Sequence, residues 1–348
     1  MNDLAISLAS RSGASAAEVG ELARRAEAGG FDAVLIAERS ADALALAHTA
    51  LLSTERVRVG TAIANAAVRH PAMTAMTAAT LAEESGGRFL LGLGVANPAL
   101  NERVLGLPAI RPVQYMREYV GVLRAVLDGR PQPAPGDYFS VAGFIADRPT
   151  RTSVPIYVAG LLPKMLSLAA ELADGVLLNL TTTAALPAVM DHINDGLARS
   201  GRTRSEIVVA SLLPCCISSD AAAAARAARE VVAGYAMHPA AGKLFAASGF
   251  AEELACVRER LTGGDQNAAA SVSDAMIDAL VVHGGSDVLP GRIQDYRDAG
   301  VDLPVLFPMP VDDGWIPAIE RVIHAASTMR TASTIEVTTP ERKDAHHV

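Results

Sequence analysis

The residues of this sequence that could do chemistry sit in short loops that follow apolar runs. The sharpest of these loops is Ala159-Gly160-Leu161-Leu162-Pro163-Lys164-Met165. Pro163 fits the first turn of a helix, and Met165, Leu168, Ala169 and Leu172 mark one face of it. Leu162, just before, has no oxygen to cap the free N–H groups as Ser or Asp would. Lys164 places a cation at the positive end of the helix dipole, which costs about 0.3–1 kcal/mol when exposed. An uncapped helix start with a cation suits an anion, a phosphate being the natural candidate. Water capping a surface helix is the plain alternative.

Three further loops and one strand end carry unusual residues. Ala62-Ile63-Ala64-Asn65-Ala66-Ala67-Val68-Arg69-His70-Pro71 ends at a helix with Pro71 in its first turn, and Arg69 and His70 can simply pack on the rim. Gly92-Leu93-Gly94-Val95-Ala96-Asn97-Pro98 is built from small residues that let a planar or bulky group approach the backbone. It lacks the third glycine of a dinucleotide loop. Leu178-Asn179-Leu180-Thr181-Thr182-Thr183 offers an amide and hydroxyls that could bind a ligand or cap the next helix. Glu38, at the end of the second apolar run, could serve as a general acid or substrate contact, or pair with Arg39 or Arg69. Cys215-Cys216 lies within an apolar strand and reads as core packing, and His48, His192, His238, His283 and His324 show no spacing for a metal or a triad.

Stacked βα units must position these loops. Strands are predicted at Leu4–Leu8, Ala33–Ile36, Val57–Thr61, Arg88–Gly92, Val154–Val158, Gly175–Leu178, within Ile207–Ile217, and at Leu303–Phe307, with helix-period segments between them. Eight parallel strands at this length favour an α/β fold closed as a (β/α)₈ TIM barrel, with its site at the carboxyl ends of the strands. One domain is expected over 1–330, with insertions at about 129–153, a lobe or hairpin, and 236–285, partly helical. Residues 331–348 read as a loose tail.

Half of the 348 residues are hydrophobic, enough for a large core, and the net charge of −8 disfavours nucleic acid and anionic membrane surfaces as partners. No apolar stretch would cross a bilayer, and Met-Asn-Asp-Leu-Ala lacks the basic start of a secretory signal. Three cysteines make no disulfide framework and no zinc pattern. The expectation is a cytoplasmic, metal-free enzyme with a small-molecule substrate.

The run Gly60-Thr61-Ala62-Ile63-Ala64-Asn65 through Arg69-His70-Pro71 resembles the corresponding loop of F420-dependent methylenetetrahydromethanopterin reductases. Gly87-Arg88-Phe89-Leu90-Leu91-Gly92-Leu93-Gly94 is similar to the fourth strand of the bacterial-luciferase-like superfamily. Pro163-Lys164-Met165-Leu166, Ala173-Asp174-Gly175-Val176 and Tyr296-Arg297-Asp298-Ala299-Gly300-Val301-Asp302-Leu303-Pro304 extend the likeness, which is collinear over about 1–325 and points to the reductase-like branch.

The resemblance implies a luciferase-like barrel with a flavin-shaped cofactor across its mouth, coenzyme F420, with FMN as the alternative. It implies a bulge in the third strand with a cis peptide at Ala62–Ile63 behind the central ring, and the cofactor phosphate at Gly160–Lys164. Ala62, Ile63, Ala64, Asn65, Gly94, Gly160, Leu161, Leu162, Pro163, Lys164 and Asn179 are the cofactor-binding residues so expected, and Glu38 and Asn97 the substrate-positioning ones. The activity implied is hydride transfer between the deazaflavin and a small organic substrate. The rivals are an FMN-dependent monooxygenase and a flavin-binding relative without catalysis. Relatives often pair, which is the only ground for a homodimer. Leu162 stands where the family commonly has Gly. Val95 and Arg39 stand where its sugar-phosphate dehydrogenases carry an acid and a His, which disfavours glucose-6-phosphate as substrate. Specificity is expected in the loops around 97–112 and 236–285.

Overall fold

The computed structural model describes residues 3–8, 12–132, 134–141, 144, 150–238 and 240–338. Its strands are β1 (Ala5–Leu8), β2 (Ala33–Ile36), β3 (Arg58–Thr61), β4 (Ala64–Asn65), β5 (Phe89–Gly94), β6 (Ile156–Ala159), β7 (Gly175–Leu178), β8 (Val208–Ile217), β9 (Val282–Gly284) and β10 (Leu303–Pro308). Strands β1, β2, β3, β5, β6, β7, β8 and β10 pair in that order, all parallel. Because β10 bonds to both β8 and β1, they close an eight-stranded barrel. The eight runs expected from the sequence are these eight strands.

Side-chain alternation explains why each run is apolar throughout. Ala5, Leu35, Leu90, Tyr157, Leu177, Leu212 and Val305 fill the barrel, while their neighbours Ile6, Ile36, Leu91, Val176, Leu213 and Leu306 face the surrounding helices. The helices that follow the strands are α1 (Ala16–Ala28), α2 (Ala43–Leu52), α3 (Pro71–Glu84), α4 (Pro112–Leu127), α5 (Pro163–Leu172), α6 (Leu186–Ser200) and α7 (Ala221–Ala236). Next come α8 (Ala241–Ala247), α9 (Ala251–Thr262) and α10 (Asp274–Leu280), then α11 (Val288–Asp298) and α12 (Trp315–Thr338). Sequence signals start several of them. Ser15 and Glu18 form a capping box on α1, and Asp42 accepts the N–H groups of Leu44 (2.9 Å) and Ala45 (3.2 Å) at the start of α2.

Four features differ from the expected layout or refine it. The third strand is broken into β3 and β4. Val59 and Gly60 pair with Phe89 and Leu90, whereas Ala64 and Asn65 pair with Leu93 and Gly94, so three residues of one strand oppose two of the other. That is a bulge of one extra residue, and it re-aims the chain at the barrel mouth. The excursion at 236–285 is helical but ends in β9, which pairs with the last residues of β8. Phe245, Leu254, Val257 and Met276 give this lobe its own core against α7. Cys216 is buried there, and Cys215 in the main core.

The insertion after α4, expected as a lobe or hairpin, contains no strand among its described residues, which leave out 133, 142–143 and 145–149. Pro131 and Pro135 have no N–H for a ladder. The Glu118 carboxylate instead gathers the N–H groups of Asp137 (3.1 Å), Tyr138 (2.8 Å) and Phe139 (3.2 Å). The loose tail expected from 331 begins later: α12 runs on to Thr338, because no Gly or Pro follows 331 until Pro340. Residues 339–348 lie outside the described residues. Among the described residues no helix is long and apolar enough to cross a membrane.

Candidate active site

A cleft of about 750 Å³ opens at the carboxyl ends of β3, β5, β6, β7 and β8. Its floor is small and apolar. Ala62, Ile63, Gly94, Ala159, Leu177 and Leu212 line it. The Ala62–Ile63 peptide is cis, as the resemblance implied. A Cβ on Gly94 would lie 3.1 Å from the Ile63 side chain and 3.3 Å from Ala159, so a glycine keeps this part of the floor open. One layer below, Gly92 has no room at all. A Cβ there would lie 1.8 Å from the Thr61 carbonyl oxygen. Thr61 Oγ1 donates to the Gly92 carbonyl (2.7 Å) and accepts the Gly92 N–H (3.0 Å), which locks β3 to β5 just before the bulge.

Glu38 holds the bulge from the other side. Its N–H donates to the Ile63 carbonyl (3.3 Å), and its carboxylate accepts the N–H of Asn65 (2.6 Å). The same carboxylate takes both ends of the Arg69 guanidinium, one at 2.7 Å, in a largely buried pair; Arg69 also reaches Asp42 at 3.0 Å. Burial alone would weaken the charge on Arg69, but the bonds and attraction of Glu38 and Asp42 override it and push its pKa up. Of the two readings of Glu38, the structure displays the ion pair, and Glu38 does not line the cleft. Asn65 is buried behind the floor. Its amide donates to Asn101 Oδ1 (2.8 Å), and Asn101 donates to the Val95 carbonyl (2.6 Å), tying the bulge to the loop after β5.

The far wall is the start of α5. Leu162 has no side-chain cap on this helix, Pro163 occupies the first turn, and Lys164 is exposed beside them. The peptide N–H groups of Leu161, Leu162 and Lys164 have no protein acceptor among the described residues. All three residues line the cleft. Two residues hold left-handed backbone without being glycine among the described residues: Ala96 at φ +53° after β5, which lines the cleft, and Leu180 at φ +57°, next to the lining residue Asn179. Such geometry costs on the order of 1–3 kcal/mol per residue and clusters at ligand sites.

A sequence profile of the luciferase-like monooxygenase family matches residues 4–303. The chain belongs to that family. This luciferase-like chain is similar to the 5,10-methylenetetrahydromethanopterin reductase of Archaeoglobus fulgidus, with 32% identity over 285 residues covering 79% of the chain and 85% of the relative. The reductase of the same name from Methanolobus tindarius is 30% identical over 290 residues, covering 82% and 88%. Among solved structures, the coenzyme F420-dependent tetrahydromethanopterin reductase of Methanopyrus kandleri superposes with a TM-score of 0.80 at 27% identity, covering 93% of this chain and 97% of that one.

Most of the residues expected from the luciferase-like resemblance meet at this cleft. Ala62, Ile63, Gly94, Asn97, Leu161, Leu162, Pro163, Lys164 and Asn179 line it. Ala64, Asn65 and Gly160 do not; they stand behind. Gly160 donates its N–H to the Leu177 carbonyl (3.1 Å), and a Cβ on it would lie 3.0–3.2 Å from Leu166. Asn97 accepts the Ala99 N–H (2.8 Å) with its side-chain oxygen, and Asn179 accepts the Leu180 N–H (2.9 Å). His70, off the cleft, caps α3 by accepting the Ala72 N–H at Nδ1 (3.3 Å).

Three contributions escaped the sequence reading. Pro112 and Val113 bring the start of α4 to the cleft, and Leu212 adds a piece of floor from β8. His238 and Lys243, from the excursion after α7, face the same space. Among the described residues no Asp or Glu lines it. Burial holds the His238 imidazole below its ordinary pKa. The signal for His238 was only its place within the excursion assigned to specificity, since a lone histidine has no spacing to read.

Proposed function

We propose that this chain binds coenzyme F420 across the barrel mouth and transfers a hydride between the deazaflavin and a small organic substrate. One observation carries the reading: the bulged, apolar floor and the uncapped start of α5 open onto a single cleft. The residues fit such a group. Ala62, Gly94 and Ala159, beside the Ile63 side chain, offer an apolar surface of mostly small groups, suited to a fused ring. The free N–H groups of Leu161, Leu162 and Lys164, with the Lys164 ammonium, suit a phosphate. The volume lies within the range of cofactor sites, about 300–1,000 Å³.

The cofactor supplies the hydride chemistry when bound. The protein supplies position and dryness. Leu161, Leu162, Leu177, Leu178 and Leu212 exclude water from the floor. Glu38, Arg69, Asn65 and Asn101 fix the bulge without touching the cleft, so the floor is preorganised by groups that take no part in the reaction. The solved coenzyme F420-dependent tetrahydromethanopterin reductase supports the choice of F420, and the two reductases at 30% identity or above support a C–N centre, as in their named pterin, for the first substrate tried.

Anaerobic turnover decides the activity. Reduced F420 with methylenetetrahydromethanopterin, and with a panel of small ketones, should give oxidised F420 at a rate that scales with enzyme. Substrate-dependent oxygen uptake with reduced FMN, and none of the F420 reaction, would replace this reading with a monooxygenase.

A further inference from the structure

The α7–α8 turn carries a histidine whose geometry has a direction. His238 Nδ1 accepts the Ala240 N–H at 3.1 Å. A ring nitrogen that accepts has no hydrogen of its own, so the neutral ring carries its hydrogen on Nε2. Nε2 has no protein partner among the described residues, and His238 lines the cleft. The backbone beneath it is fixed from several sides. His238 donates its N–H to Tyr235 (2.9 Å), and its carbonyl accepts from Ala241 (3.0 Å) and from Arg258 Nη2 (3.2 Å). Arg258 Nε also donates to the Ala236 carbonyl (2.6 Å), tying α9 to the end of α7.

Among the described residues, the charged side chains that line this cleft are of one sign. Lys164 and Lys243 line the same cleft, Arg258 is bonded to the His238 carbonyl, and among the described residues no carboxylate lines the space. Burial opposes a second proton on the imidazole, and that proton would also break the Ala240 bond. The ring is therefore a neutral donor rather than an acid.

We propose that His238 selects and orients the substrate by donating its Nε2–H to the heteroatom of the reacting double bond, a carbonyl oxygen or an imine-type nitrogen. This rests on the hydride-transfer reading above. In the reductive direction, a hydride with its electron pair adds to the carbon and the π pair moves onto the heteroatom. That atom then takes a proton from water, while His238 keeps its own hydrogen. Charge grows on the heteroatom as the hydride arrives, so the hydrogen bond strengthens toward the transition state. Removing one such preorganised donor typically lowers kcat by about 10²–10³. Specificity follows from the same contact: a compound with an apolar group at this position leaves Nε2–H unpaired.

The test compares His238→Phe, which has no donor, with His238→Gln, whose amide nitrogen can stand in for Nε2. Each F420-loaded protein is assayed with the ketone panel, alongside F420 affinity and the ¹⁵N signals of the histidine ring. The expected result is a fall of about 10²-fold in kcat/KM for His238→Phe. F420 affinity should hold, His238→Gln should recover most of the rate, and the wild-type ring should show its hydrogen on Nε2. The inference is overturned if His238→Phe keeps wild-type turnover, if Gln rescues nothing, or if F420 affinity falls in parallel. A ring with its hydrogen on Nδ1 overturns it whichever probes turn over. Wild-type protein that fails to bind F420 at all would instead count against the hydride-transfer reading.

Discussion

The carboxylate of Glu38, at the end of β2, accepts the backbone N–H of Asn65, in β4, at 2.6 Å. With the Glu38 N–H on the Ile63 carbonyl, this spans the bulge that shapes the cleft floor. A carboxylate with the look of a candidate acid is instead the staple of the floor.

Glu38→Ala should therefore act on stability and on binding together. It leaves the Arg69 guanidinium largely buried without its main partner and frees the Asn65 N–H. Breaking such a pair costs about 3–5 kcal/mol when fully buried, and about 2–4 kcal/mol is expected for this partly exposed one. Urea unfolding measures the loss, and F420 affinity should fall with it. Unchanged stability with abolished turnover would restore Glu38 as a reacting group.

The two glycines of β5 should behave differently. Gly92→Ala sets a methyl 1.8 Å from the Thr61 carbonyl oxygen, where backbone must move, so expression of folded protein should collapse. Gly94→Val meets only side chains, at 3.1–3.3 Å, and projects into the cleft. It should keep its fold by circular dichroism and lose F420 affinity by about tenfold or more, roughly 1.4 kcal/mol.

Lys164→Met separates a ligand-binding lysine from a structural one by sign. Removing a cation from the positive end of α5 should raise the stability of the free protein slightly, by up to about 0.5 kcal/mol. Affinity for the phosphorylated cofactor should drop, and its salt dependence should weaken. Stability and affinity falling together would mark Lys164 as a packing residue.

Much of this is legible in the sequence because the signals are local. Pro163 after Leu162 announces an uncapped helix start, and continuous apolar runs such as Ala33–Ile36 announce strands buried on both faces. The role of Glu38 stays open in the sequence because its partner, Arg69, lies 31 residues away, and only the barrel brings them together. His238 is invisible there for a related reason. Its significance depends on the fold of the excursion and on which ring nitrogen Ala240 engages. The run-on of α12 past 331 shows the reverse: a polar, Thr-rich composition suggests a tail, but nothing in it breaks a helix.

His238 also gives a pH dependence with a definite sign. Its folded pKa lies below the ordinary value of 6.5, so between the two the unfolded chain binds more protons. Stability from this group is complete above about pH 6.5 and is lost as the pH falls from there through the folded pKa. Urea unfolding between pH 5 and pH 7.5, values set on the order of one to two units around that reference, should show a shallower acid loss in His238→Gln than in wild type. Equal slopes would mean that the ring is protonated alike in both states.

On the proposed reading, one cleft holds a deazaflavin ring on the β3–β4 bulge and its phosphate at the start of α5. A fluorescence titration of the purified protein with F420, with the same deazaflavin lacking its phosphate, and with FMN tests it most directly. Saturable F420 binding is expected, with weaker binding of the phosphate-free form and a Lys164→Met variant that narrows the gap between those two. Tight FMN binding with none of F420, or equal affinity for both deazaflavins, would contradict it.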